Sequence, residues 1–264
     1  MKAPGMIRNL RELYQYRSLL SALTQRELTA RYRSSSLGFL WTFLNPTLLM
    51  LVYAFVFSVL MHTTVKHFPY FIFIGLLPWI WFTTSVGAGA STISDRRDLL
   101  TKVRFPAQVL PSTVVLSNLI NYILSLPLMI GLGLAFGDLP SWHVVFFPLI
   151  VGVQLIFTLA LSYIISALNV AFRDLQHIVN NILTLGYFLT PVLYQIRQIP
   201  ERYRPFLFWG NPMAVIMDSY QAIFYEHVVP PLKALSVMGV FSVVLLWLAA
   251  RLFESRREEF AELV

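Results

Sequence analysis

The 264-residue sequence contains no cysteine, which removes disulfides, metal thiolates and thiol nucleophiles together. Charge is scarce as well: 12% of residues are charged, and almost none of them falls within the apolar stretches 37–60, 70–93, 108–136, 142–169, 175–194 and 232–252. Carriers driven by protons or sodium keep carboxylates or a charged relay at mid-membrane, so any driving energy must enter from outside this chain. No GxxxxGKS or GxxxxGKT pattern is present, and the chain therefore cannot cradle nucleotide phosphates by itself. His62, His67, His143, His177 and His227 are scattered, and a His without a second ligand is an ordinary interfacial residue rather than a metal site. No serine sits in a GxSxG elbow, so covalent catalysis is not expected. The first thirty residues are basic and broken by polar side chains, which excludes a cleavable signal peptide.

What remains is hydrophobic. Apolar residues make up 57% of the chain, and a bilayer core of ~30 Å needs ~20 of them per helical crossing. The six stretches predict an all-α integral membrane protein of six transmembrane helices, the fifth being the shortest. A chain of 264 residues leaves no room for a sizeable soluble domain, so 1–264 is expected to be a single transmembrane domain. Pro46, Pro78, Pro111 and Pro127 should kink the first three crossings. Lys and Arg are distributed fifteen to five between the two sets of connections, the larger set including seven residues before the first crossing and Arg96, Arg97, Lys102 and Arg104 between the second and third. Both termini are therefore expected on the cytoplasmic side. The net charge of +7 reflects that excess; with no basic soluble module to carry it, nucleic acid is not an expected partner.

Three segments outside the crossings are informative. In 8–33, Leu10, Leu13, Tyr16, Leu20 and Leu23 recur at helical spacing opposite a basic polar face, which suits an amphipathic helix in the membrane interface or one packed on a cytosolic partner. In 94–106, Ser94 and Asp95 can cap a helix whose apolar stripe is Leu99, Leu100 and Val103 and which Pro106 ends. Two residues of turn would have sufficed there, so the element reads as a lever for a soluble partner or as a helix resting on headgroups. A metal site at Asp95 and Asp98 is disfavoured, because Arg96 and Arg97 already compensate the carboxylates. The segment 195–231 is too apolar for a free loop and too long for a turn, and Asn211-Pro212 is a helix start. Two short helices dipping into the outer leaflet and returning would satisfy both properties.

Aromatic residues reach 15%. Trp79, Trp81 and Trp142 are expected in the interfacial belts. Phe39, Phe43, Tyr53 and Phe57 on the first crossing and Tyr187, Phe188 and Tyr194 on the fifth fall deeper, where flat rings suit stacking on sugars without a charge that would hold them. Lipid contact and helix packing are the competing uses of the same rings. Asn45, Asn118, Asn121, Asn180 and Asn181 add uncharged hydrogen-bonding groups, which also serve as glue between helices.

The segments RYRSSSLGFLWTFLNP at 31–46, GLLPWIWF at 75–82, LLTKVRFPAQVLP at 99–111 and the NP at 211–212 resemble the membrane subunit of type II ABC exporters, most closely the branch exporting O-antigen, capsule and teichoic acid. The resemblance implies a non-enzymatic homodimer in the bacterial inner membrane working with two copies of a separate ATPase, which would bind the ATP and Mg. It further implies that Asp95, Arg96, Arg97, Asp98, Leu99, Leu100 and Lys102 belong to a coupling helix entering that ATPase, and that the first and fifth crossings line the channel. Arg31, Arg33 and Arg104 are the expected contacts for the phosphates of a lipid-linked glycan. A small-molecule exporter and a membrane glycosyl- or phosphotransferase are the alternatives.

Overall fold

A computed structural model describes residues 12, 14–33, 35–96, 105–172 and 174–256. The described residues are helical with no strand. Helix α1 is Arg17–Tyr32. Its stripe of Tyr16, Leu19, Leu20 and Leu23 is spent within the chain, against Phe105, Val109 and Leu110. Leu10 and Leu13, the start of the expected stripe, lie outside the described residues.

The first crossing is composite. The hydroxyl of Ser35 accepts from the Gly38 N–H at 3.3 Å, a short 3₁₀ turn follows at Gly38–Leu40, α2 is Trp41–Ala54 with Pro46 inside it, and a π-helical turn, Phe55–Leu60, completes it. Helix α3, Phe68–Asp95, is the hub: Phe71, Ile72, Phe73 and Ile93 are fully buried. Helix α4 is Val109–Phe136, and α5, Phe147–Ala171, follows a 3₁₀ turn at Trp142–Phe146. Gly89 lets α3 approach α5, since a Cβ there would lie 3.2 Å from Ser162. Helix α6 is Leu175–Leu189, α7 Arg204–Gly210, α8 Pro212–Gln221 with a π-helical extension Ala222–Glu226, and α9 Leu232–Ser255.

Five of these segments are long and apolar enough to cross a membrane: Gly38–Leu60, Phe68–Asp95, Val109–Phe136, Trp142–Ala171 and Leu232–Ser255. The fifth expected stretch yields only the 15 residues of α6, about 22 Å at 1.5 Å per residue. It stops because Thr190 precedes Pro191 and adopts an extended conformation, ψ 137°, as the residue before proline is pushed to do. Tyr194 therefore lies beyond the helix that was expected to carry it.

Other expectations need correction too. Pro111 falls in the first turn of α4, where a missing N–H costs nothing, so only Pro46, Pro78 and Pro127 are interior prolines. Asp95 is the last residue of α3 rather than the cap of a new helix, its carboxylate accepting from the Ser91 hydroxyl at 2.6 Å. Trp79 and Trp81 are buried core residues, at 6% and 1% exposure, whereas Trp142 at 67% is free to sit in an interface. Trp81 stacks on Tyr122 at 5.3 Å and donates to the Val115 carbonyl.

A buried polar relay holds the bundle where Pro78 interrupts α3. Gln154 of α5 donates to the Pro78 carbonyl at 2.8 Å and accepts from the Tyr220 hydroxyl of α8 at 2.9 Å. Lipid supplies no competing hydrogen bonds, so such contacts fix the helices relative to one another.

Candidate functional site

Helices α2 and α6 flank the same face of α3 and leave a groove of ≈ 530 Å³ between them. Its walls are Tyr53 from α2, Trp79, Thr83 and Thr84 from α3, and Asn180, Thr184, Tyr187 and Phe188 from α6. The spacings explain the convergence: Trp79 and Thr83 are four apart, and Asn180, Thr184 and Tyr187 follow at four and seven, so each set occupies one helix face. The Tyr53 and Tyr187 ring centroids are 5.7 Å apart, and Trp79 lies 5.8 Å from Tyr187. Gly87 permits the close approach of α6 below them, because a Cβ there would meet the Asn180 side-chain oxygen at 2.9 Å.

Two further cavities join this groove through shared residues. One of ≈ 420 Å³ is lined by Arg31, Thr83, Thr84, Gly87, Gln176 and Asn180. The other, of ≈ 440 Å³ between α2, α3 and α4, is lined by Arg31, Trp41, Asn45, Thr84, Asn118 and Asn121 among others. Arg31 is common to both and donates to the Asn118 side-chain oxygen at 2.9 Å. The result is a seam of amides, hydroxyls and aromatic rings that, among the described residues, has one guanidinium at its end and no carboxylate in its lining. Such a surface gives hydrogen bonds and ring contact to polyhydroxylated cargo, and its single cation offers an oxyanion a charge-assisted bond.

The expected aromatic lining is only partly assembled. Tyr53, Tyr187 and Phe188 share the groove. Phe39 and Phe43 pack edge to face at 5.2 Å near the start of α2, Phe57 packs on Phe68 at 5.5 Å, and the Tyr194 hydroxyl donates to the Phe188 carbonyl at 3.2 Å. None of these four lines the groove. The contributors missed by sequence reasoning are Trp79, Thr83, Thr84 and Thr184; the spacing of four between Trp79 and Thr83 and between Asn180 and Thr184 could have revealed all but Thr84.

Arg33 closes α1 and is exposed, and it is not among the residues lining these cavities. Arg96 forms an ion pair with Glu27 of α1, tying the end of α3 to that helix. Arg97, Asp98, Leu99, Leu100, Lys102 and Arg104 lie outside the described residues. Among the described residues, no three His, Asp or Glu side chains converge in a way that could hold a metal ion.

At the other end of the molecule, α7 and α8 are anchored by polar contacts, of which only the Asn211-Pro212 helix start was legible in the sequence. Asn211 accepts from the Met213 N–H at 3.1 Å as the cap of α8. Gln221 donates to the Pro191 carbonyl at 2.6 Å, and Arg197 pairs with Glu226. Burial pushes the Asp218 carboxyl up to about 6, with the positive charge of Arg197 pulling the other way. His67 contacts Asp138 at 2.8 Å, pinning the connection before α3 to the turn after α4.

The chain belongs to the ABC-2 type transporter family, whose profile matches residues 18–225. It is 65% identical over 258 residues to the O-antigen export system permease protein RfbA of Myxococcus xanthus, covering 97% of this chain and 99% of that one. A protein of the same name from Klebsiella pneumoniae is 30% identical over 93% of this chain and 95% of its own length. The polysialic acid transport protein KpsM of Escherichia coli is 24% identical over 90% and 93% of the two chains.

Proposed function

We propose that this chain is the permease subunit of an ATP-driven exporter that moves a lipid-linked, O-antigen-like polysaccharide from the cytoplasm across the inner membrane. The observation that carries the reading is the near full-length identity of 65% to a protein named for O-antigen export. The groove chemistry supports it, since rings and amides without carboxylates let a sugar chain slide where a charged lining would hold it.

In this reading the whole chain is one transmembrane domain of six crossings. Helix α6 makes the fifth crossing with the extended residues after Leu189, and both termini face the cytoplasm, as the distribution of Lys and Arg favours. Helix α1 lies in the cytoplasmic interface, 94–106 is the coupling helix, and α7 and α8 form a re-entrant pair rimming the exit. Two copies assemble with two copies of a separate ATPase that binds ATP and Mg. A homodimer makes steric sense, because six close-packed helices leave no pore of their own. Tyr53, Tyr187 and Phe188 with Trp79 guide the glycan, with Phe39, Phe43, Phe57 and Tyr194 continuing the aromatic path in the assembled channel. Arg31, assisted by Arg33 and Arg104, meets the phosphates of the lipid anchor.

Purified chain in lipid is expected to hydrolyse no ATP by itself. Added to its ATPase in inverted vesicles, it should carry lipid-linked polysaccharide into the lumen, where external glycosidase cannot reach it. Turnover without the partner, or protection of glycan without ATP, would overturn the assignment. Orientation is checked separately: a cytoplasmic reporter after Val264 should be active and one at Asp138 inactive, and the reverse pattern would invert both the topology and the coupling side.

A further inference from the structure

On the far side of α4 from the polar seam lies a second groove that shares no lining residue with it. Asn118, Asn121, Tyr122 and Ser125 line the seam, whereas Leu116, Leu119, Ile120 and Ile123 line a separate cavity of ≈ 520 Å³ between α4 and α1. The two sets are offset by two positions, about 200° of helical rotation, so they occupy opposite faces of one helix. Leu116, Leu119, Ile120 and Ile123 form a continuous apolar stripe at helical spacing. Across from it α1 presents Arg17, Ser21 and Gln25, which repeat every four residues and form a polar stripe lining the same cavity. Leu20 and Leu28 of α1 line it as well, so the cavity is apolar on its α4 side and carries a polar stripe within a mixed wall on its α1 side, the two meeting at a corner.

Arg17 is held in place there. Its guanidinium lies 4.6 Å from the Tyr14 ring centre and donates to the Tyr14 carbonyl at 3.3 Å. It takes part in none of the ion pairs among the described residues, so its charge is available to an anion. Ile120 and Ile123 are 36% and 48% exposed, which opens the apolar wall toward the exterior of the chain.

We infer that this corner binds an anionic phospholipid of the cytoplasmic leaflet, its phosphate on Arg17 with Ser21 and Gln25 and an acyl chain along the α4 stripe. The inference rests on the reading of α1 as an interface helix. Position favours a bilayer phospholipid over the lipid-linked substrate, because α4 separates this cavity from Arg31 and the seam. A bound lipid would brace α1 against α4, and through the Glu27–Arg96 pair it would steady the end of α3 as well.

The test uses the full-length chain in nanodiscs of equimolar phosphatidylglycerol and phosphatidylcholine. After extraction into mild detergent, the retained lipids are counted by mass spectrometry. The wild-type chain should enrich phosphatidylglycerol about five-fold, the preference one basic side chain gives for an anionic headgroup. Arg17→Gln should bring the two lipids to parity, Ile120→Trp should expel both, and Arg26→Gln, outside the cavity lining, should leave the enrichment intact. Equal retention by the wild-type chain, a polyprenyl phosphate as the retained lipid, or loss of enrichment in Arg26→Gln would each overturn the site. Because the chain has no cysteine, a nitroxide on Ser18→Cys, exposed on α1 and outside the cavity lining, reports the depth of α1 independently. A label seen only by water-soluble relaxants sinks the interface reading itself; a label at the headgroup level without enrichment sinks the lipid site alone.

Discussion

Changing Leu99 and Leu100 together to Asp is expected to release the ATPase from the membrane and abolish export while the permease stays folded and dimeric. In the proposed assembly, residues 94–106 provide the contact through which ATP hydrolysis in the partner can move the channel. The apolar stripe would be buried in a cleft of the ATPase, each leucine contributing about 1.5–3 kcal/mol if burial is complete. A carboxylate in the same place adds the cost of desolvating an unpaired charge. Reversing Arg97 alone should weaken the complex mainly at low ionic strength, as a solvated charge at the edge of an interface does. Copurification of the ATPase and surface glycan measure the two effects, and a double variant that keeps both would place the lever elsewhere. The described residues supply its mechanical connection: Asp95 ends α3, and Arg96 pairs with Glu27 of α1. A push on the segment would thus reach two helices at once.

The sequence disclosed what depends on run length and missed what depends on contacts across the fold. Crossing segments at Gly38–Leu60 and Val109–Phe136 were legible because membrane burial demands unbroken apolar runs. The early stop of α6 was also written locally, in Thr190-Pro191, but hydropathy extends past it to Tyr194 and hides it. Trp79 and Trp81 were misplaced because a tryptophan near the middle of an apolar run looks the same whether it faces lipid or core. Packing across the fold decides the question: Tyr122 lies 5.3 Å from Trp81, and Tyr187 lies 5.8 Å from Trp79. The groove followed the same rule. Tyr53 and Tyr187 were legible as deep aromatics, yet their meeting depends on α3 lying between α2 and α6 with Gly87 allowing the approach. The partnership of Arg31 with Asn118, 87 positions away, is likewise a product of tertiary packing.

Replacing Tyr53 and Tyr187 together by Ala should reduce glycan export by roughly an order of magnitude without impairing assembly. Each ring offers a flat face that contributes about 0.5–1.5 kcal/mol beyond simple area when stacked, and a factor of ten in rate corresponds to about 1.4 kcal/mol. Both rings line the groove; Tyr53 is half-buried and Tyr187 is 7% exposed, so their removal widens the groove and also gives up some packing around Tyr187. Replacement by Phe separates the two uses of tyrosine: stacking survives and the hydroxyl does not, so most of the flux should return if the ring carries the effect. Trp81→Ala provides the contrast. That side chain is 1% exposed, stacked on Tyr122 and bonded to the Val115 carbonyl, and its loss should cost about 3–5 kcal/mol and show first as reduced assembly. Surface glycan normalised to the amount of assembled dimer distinguishes these outcomes. If the double Ala variant exports at the wild-type rate per assembled dimer, or if it fails to assemble as Trp81→Ala does, the rings are packing and the sugar path runs elsewhere.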